Sequence, residues 1–126
     1  MPLLLEPYNP DWKEEFQKIK NTLEEQLKGL VFKIEHIGST SVPGMLAKPV
    51  LDIDIVIEQK KELNEISSRL VKAGYLNKGD QGVNGRFAFR QKNEFVPFTA
   101  ENIQWQKHHL YVCFADSSAF KNHIQF

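Results

Sequence analysis

The chain has 126 residues, 41% of them hydrophobic and nine of them Phe, which is enough for one domain that buries about two-thirds of its unfolded surface. Sixteen basic residues balance sixteen acidic ones, so no global field draws in a polyanion, and nucleic acid is not an expected partner. A lone cysteine, Cys113, excludes an intrachain disulfide and fits a reducing cytoplasm; the N-terminus lacks the basic stretch of a signal peptide, and no apolar run reaches the roughly eighteen residues that span a bilayer.

The first element is a helix. Asn9 reads as its N-cap, Pro10 as its first position and Asp11 as an acid in the first turn. Trp12, Phe16, Ile19, Leu23 and Leu27 recur at helical spacing and form a core stripe, and Gly29 closes the helix. Two strands follow at 31–37 and 50–57, separated by breakers at Pro43, Gly44 and Pro49. A second helix is predicted over about 59–73, with Leu63, Ile66 and Leu70 inward and Gly74 beyond it. Residues 77–85 read as a loop. Strands are then predicted at 86–91, 94–98 and 107–114, followed by a helix from Ser117 that stops at Phe126 in mid-course. The order fits an α+β fold, a mixed and largely antiparallel sheet flanked by helices.

Chemistry concentrates between Glu35 and Ile57. In an extended segment alternate side chains share a face, so Asp52 and Asp54 point one way and Leu51, Ile53, Ile55 and Ile57 the other. Two carboxylates about 4–5 Å apart repel by roughly 3–4 kcal/mol at an effective dielectric near 20. A proton or a cation relieves that repulsion. Mg²⁺ suits hard oxygen ligands and commonly takes one or two carboxylates together with substrate phosphates. The plainer alternative is a solvated pair, or one neutralised by Lys48 or an arginine. Upstream, Gly38, Ser39, Thr40 and Ser41 follow the first strand. A glycine there lets a backbone approach a ligand, and the N–H groups and hydroxyls after it can hold phosphate oxygens. A serine-rich turn capping a short helix would look the same.

The order of Gly-Ser turn, twelve residues, then Asp-x-Asp resembles the nucleotidyltransferase superfamily. Within it, the run His36 to Gly44, then Ala47-Lys-Pro49, Asp52-Ile-Asp54 and His108 to Val112, is similar to the GrpB family, over nearly the whole chain. The resemblance implies a nucleotidyltransferase-like fold over 1–126. Asp52 and Asp54 would hold Mg²⁺, and Gly38, Ser39 and Thr40 would hold the phosphates of an NTP substrate whose nucleotidyl group passes to an acceptor. Active superfamily members usually add a third carboxylate from a later strand, and strand 107–113 has none; His109 is the candidate metal ligand or general base in its place. GrpB-like domains also occur fused to dephospho-CoA kinases, so a non-catalytic module binding a nucleotide or a CoA-like small molecule is the alternative. GrpB-like chains normally continue past the point corresponding to Phe126, and a shortened form that folds only as a dimer is a third reading.

Other residues carry two readings each. Arg86 and Arg90 share a strand face and offer bidentate forks to triphosphate oxygens, or line a solvated edge. Lys48 contacts a phosphate or neutralises Asp52. His36 reads as a satisfied core histidine. His108 points away from His109, and neighbours in a strand do not converge on one zinc ion. Trp105 and Tyr111 stack on a base or pack an edge.

Overall fold

A computed structural model describes residues 5–80 and 85–115. Five strands form one mixed sheet: β1 (Lys33–Ile37), β2 (Leu51–Ile57), β3 (Tyr75–Gly79), β4 (Arg86–Gln91) and β5 (His108–Phe114), in spatial order β1-β2-β5-β4-β3. Among the described residues the β2–β5 pair is parallel and the other three pairings are antiparallel.

Helices α1 (Asp11–Gln26) and α2 (Lys60–Lys72) supply the apolar layer. The α1 stripe behaves as its periodicity demands: Trp12, Ile19, Leu23 and Leu27 are buried, with Phe16 packed against them. They meet Leu51, Ile53, Ile55 and Ile57 of β2 and Leu110 and Val112 of β5 in a single cluster. The helix starts one residue later than the sequence suggests, yet Asn9 still acts at its N-terminus: its Oδ1 accepts the Asp11 N–H at 2.9 Å. At the other end, Arg69 of α2 donates from Nη1 to the Lys28 carbonyl at 2.8 Å, which ties the two helices together where α1 runs out of partners.

Two expectations need correction. Residues 94–98 are not a strand. Asn93 organises a turn, accepting the Phe95 N–H on Oδ1 at 2.9 Å and the Val96 N–H on its carbonyl at 3.2 Å, and Pro97 has no N–H to give to a ladder. The segment instead docks on the α2–β3 junction through Phe98 N–H to Ala73 O at 2.8 Å. Conversely, the supposed loop from Asn77 begins inside strand β3. With only Tyr75 buried along it, β3 is an edge strand held by its pairing to β4, which is why its polar sequence gave no strand signal. The helix expected from Ser117 lies outside the described residues. No helix among the described residues is long and apolar enough to cross a membrane.

Candidate functional site

The sheet has two unlike faces. One carries the helices. The other presents, across paired strands, Glu35 and Ile37 of β1, Asp52 and Asp54 of β2, His109, Tyr111 and Cys113 of β5, and Arg86, Ala88 and Arg90 of β4. Every residue in that set follows from strand parity. Only the strand order brings them together, because β5 inserts between β2 and β4.

The Gly-Ser bend closes on the first acid. After Ile37 the chain passes through Gly38 at φ 74°, ψ −173°, a conformation essentially restricted to glycine. A Cβ at Gly38 would lie 2.8 Å from Asp52 Oδ2. Glycine is therefore what allows the bend to reach the carboxylate. Ser39–Ser41 then form a single 3-10 turn, closed by Ser41 N–H to Gly38 O at 3.1 Å and by the Ser41 hydroxyl to the same oxygen at 2.6 Å. Thr40 is buried, and its hydroxyl is hydrogen-bonded to His36 Nε2 at 2.9 Å. Within the bend Ser39 is part-exposed, and Thr40 serves as an internal tie.

His36 lies on the helix side, stacked on Phe16 with ring centroids 4.8 Å apart. Burial lowers its pKa to about 4, against the opposing pull of the Asp52 charge. It is a neutral brace under the bend.

The two acids are not equivalent. Asp52 keeps about a third of its side chain exposed (35%) and faces His109, whose Nδ1 is 3.6 Å from Asp52 Oδ1. Asp54 is fully enclosed. Cys113 lies diagonally across from it on β5; burial first, then the Asp54 charge and a side-chain hydrogen bond to Asp54, push the thiol pKa up, so Cys113 remains a protonated neighbour of the acid. Sequence reading gave Cys113 no role in the site, although its parity with His109 was the available signal. Glu35, the cross-strand partner of Asp54, was also passed over; it is exposed at the sheet edge.

Arg86 and Arg90 flank Tyr111, with guanidinium carbons 4.6 Å and 5.5 Å from its ring centroid. Burial and the Asp52 charge raise the Tyr111 pKa, and the two arginines pull the other way. Lys48 is exposed and forms no ion pair with Asp52 among the described residues. Trp105 is a packing residue, buried with its indole N–H donated to Pro97 O at 2.9 Å. His108 occupies the opposite face from His109. Its Nδ1–H donates to Gln106 O at 2.8 Å, so Nε2 accepts the Tyr75 hydroxyl proton at 2.7 Å.

The donor set suits a hard cation of a particular kind. Mg²⁺ takes one or two protein carboxylates and completes its shell with water and phosphate. A part-exposed Asp52 beside a bend with no intervening Cβ meets that description. No group of three His, Cys, Asp or Glu among the described residues forms a self-sufficient metal cage. A cavity of about 290 Å³ lies behind the bend, between Tyr8, Phe16, His36 and Ser41, and is lined by neither acid.

Comparison with known proteins identifies the family and the fold. The family model described as GrpB protein matches residues 2–126. The glutamate-rich protein GrpB of Alkalihalophilus pseudofirmus is 30% identical over 125 residues, covering 98% of this chain and 68% of that protein. YqkA of Bacillus subtilis is 29% identical over 119 residues, and the chain spans 32% of its length. A dephospho-CoA kinase of Mycobacterium tuberculosis is 35% identical over 77 residues, 59% of this chain and 19% of the kinase. Among solved structures, conserved protein GrpB from Enterococcus faecalis superimposes with a TM-score of 0.72 at 29% identity, covering 94% of this chain and 66% of that one. The Cid1 poly(U) polymerase bound to MgGTP shares the fold, with a TM-score of 0.62 at 13% identity over 94% of this chain and 35% of that one.

Proposed function

The chain belongs to the GrpB family, and on that premise we propose that it is a Mg²⁺-dependent nucleotidyltransferase acting on an NTP and a hydroxyl acceptor. The observation that carries the reading is the approach of the bend to the acid, with Gly38 so near Asp52 Oδ2 that no side chain fits between them. Phosphates held at the Gly38–Ser39 backbone would lie within reach of a cation on Asp52. Asp54 would complete the carboxylate pair from its enclosed position. The Mg²⁺ would supply charge stabilisation for the transferring and leaving groups.

The protein's own groups do the rest by positioning and electrostatics. His109 Nδ1 lies 3.6 Å from Asp52 Oδ1, so a neutral ring with its proton on Nδ1 keeps Nε2 to take the proton of the acceptor hydroxyl. The acceptor oxygen forms a bond to the α-phosphorus, the α–β bridging bond breaks, and pyrophosphate departs with the electron pair. The fold shared with Cid1, whose structures hold MgGTP and MgATP, supports this assignment.

A second reading has its own support. Asp54 is enclosed, and β5 carries His109, Tyr111 and Cys113 where a third acid would belong. A non-catalytic module that binds a nucleotide or a CoA-like molecule would need no more, and the partial match to dephospho-CoA kinases favours it. Pyrophosphate release from each NTP, with hydroxylated acceptors in the mixture, separates the two. Turnover that falls at least about a hundredfold in Asp52→Asn supports transfer; nucleotide binding without any pyrophosphate release supports the module.

A further inference from the structure

The acids, the histidine and one arginine stand in a single row. Ile37, Asp52, His109 and Arg90 are successive Cα partners across β1, β2, β5 and β4, and Leu76 of β3 ends the row. Strands are spaced about 4.8 Å apart, so the Arg90 backbone lies roughly 10 Å from that of Asp52, on the side away from the bend. The bend abuts Asp52 from the β1 side. Positive charge therefore sits on the flank opposite the phosphate cradle.

We infer that Arg90 binds an anionic group of the acceptor, so that the acceptor is a small molecule carrying both a hydroxyl and a phosphate or carboxylate. The inference rests on the nucleotidyltransferase reading and deepens it. In an in-line displacement the nucleophile enters opposite the leaving group. With the β and γ phosphates on the bend and the α-phosphorus at Asp52, the incoming hydroxyl arrives over His109 and the body of the acceptor extends over β5 and β4. Arg90 is what it meets there. Its guanidinium is half-buried, lies beside Tyr111 with a side-chain hydrogen bond to that residue, and has no carboxylate partner among the described residues; its Nη1 also makes a long 3.4 Å bond to Phe89 O. A guanidinium carries five N–H donors in a planar fork, so one contact to a phenol leaves others for an oxyanion. Leu76, 43% exposed beside it, offers an apolar wall to the carbon skeleton. Arg90 reads as a triphosphate ligand from sequence, because sequence does not reveal that β5 separates it from the acids.

The test is calorimetric titration of inorganic phosphate, and separately of acetate, into the full chain and into Arg90→Met and Arg90→Lys. Each titration is run with and without saturating Mg²⁺ and a non-hydrolysable NTP. Binding of either anion with nucleotide already bound, weakened at least tenfold in Arg90→Met and less than threefold in Arg90→Lys, is the expected result; the tighter anion names the acceptor class. The affinity for Mg²⁺–NTP should change less than twofold in both variants. Anion binding that is absent, or unchanged in Arg90→Met, overturns the inference. So does displacement of phosphate by nucleotide together with a tenfold loss of NTP affinity in Arg90→Met, which would return Arg90 to the triphosphate. A wild-type chain that binds no Mg²⁺–NTP overturns the nucleotidyltransferase reading itself, and the acceptor role with it.

Discussion

His108 and His109 are neighbours in sequence and belong to different chemical worlds. His108 points into the helix-covered face, 1% exposed, with both ring nitrogens committed to Tyr75 and Gln106. His109 points to the opposite face, a third exposed, and reaches Asp52 only at 3.6 Å. Along β2 the same alternation separates four buried aliphatic residues from Asp52 and Asp54. The helix-covered face satisfies its polar groups and gains stability from burial. The opposite face brings carboxylates, guanidinium groups and an imidazole together, with Asp52, His109 and Arg90 part-exposed along one row, which favours ligand binding over stability.

Identical substitutions on the two faces should therefore fail differently. Gly74 precedes β3 at φ 105°, and a Cβ there would lie 2.6 Å from Phe98 and 2.7 Å from Val96. Gly74→Ala should cost about 2–5 kcal/mol, strain and overpacking combined, while the folded fraction keeps its nucleotide affinity. Gly38→Ala should cost about 1–3 kcal/mol of backbone strain and, in addition, abolish Mg²⁺–NTP binding, since the methyl group invades the space at Asp52. Urea denaturation together with nucleotide titration of both variants checks the pair. Equal loss of nucleotide affinity in the two would erase the distinction between the faces.

Acid should break the helix-covered face first. Burial lowers the His108 pKa from 6.5 to about 4, so between those values the unfolded chain binds a proton that the folded chain refuses. Stability is then fully present above pH 6.5 and declines as pH falls toward 4, by about 3 kcal/mol in all from this one group. His36 adds a contribution of the same sign, reduced by its partial exposure. Urea midpoints at pH 7.5 and pH 5 measure the slope, and His108→Gln should flatten most of it. The smallest effect belongs to the bend: Ser41→Ala removes the 2.6 Å bond to Gly38 O and should cost about 0.5–1.5 kcal/mol, with a larger proportional effect on nucleotide affinity than on the unfolding midpoint.

Periodicity made much of this legible. The α1 stripe, the two faces of β2 and the opposed histidines of β5 all follow from repeats of 3.6 and 2.0 residues. β3 was not legible, because Leu76, Asn77 and Lys78 have little strand propensity and owe their conformation to β4. Nor were 94–98, where apolar residues around Pro97 suggested a strand and the hydrogen bonds of Asn93 impose a turn. At the site, the acids and the glycine bend were readable as a pair. Their contact, the enclosure of Asp54 beside Cys113 and the position of Arg90 beyond His109 depend on strand order, which no local pattern encodes.

One crystal would put the pairing of bend and acid to direct trial: the protein soaked with Mn²⁺, as an anomalous stand-in for Mg²⁺, and a non-hydrolysable NTP. An anomalous peak within coordinating distance of the Asp52 carboxylate, with phosphate density over Gly38 and Ser39, is the expected outcome. Metal and nucleotide bound together anywhere else on the molecule, with Asp52 still turned to His109 alone, would contradict it.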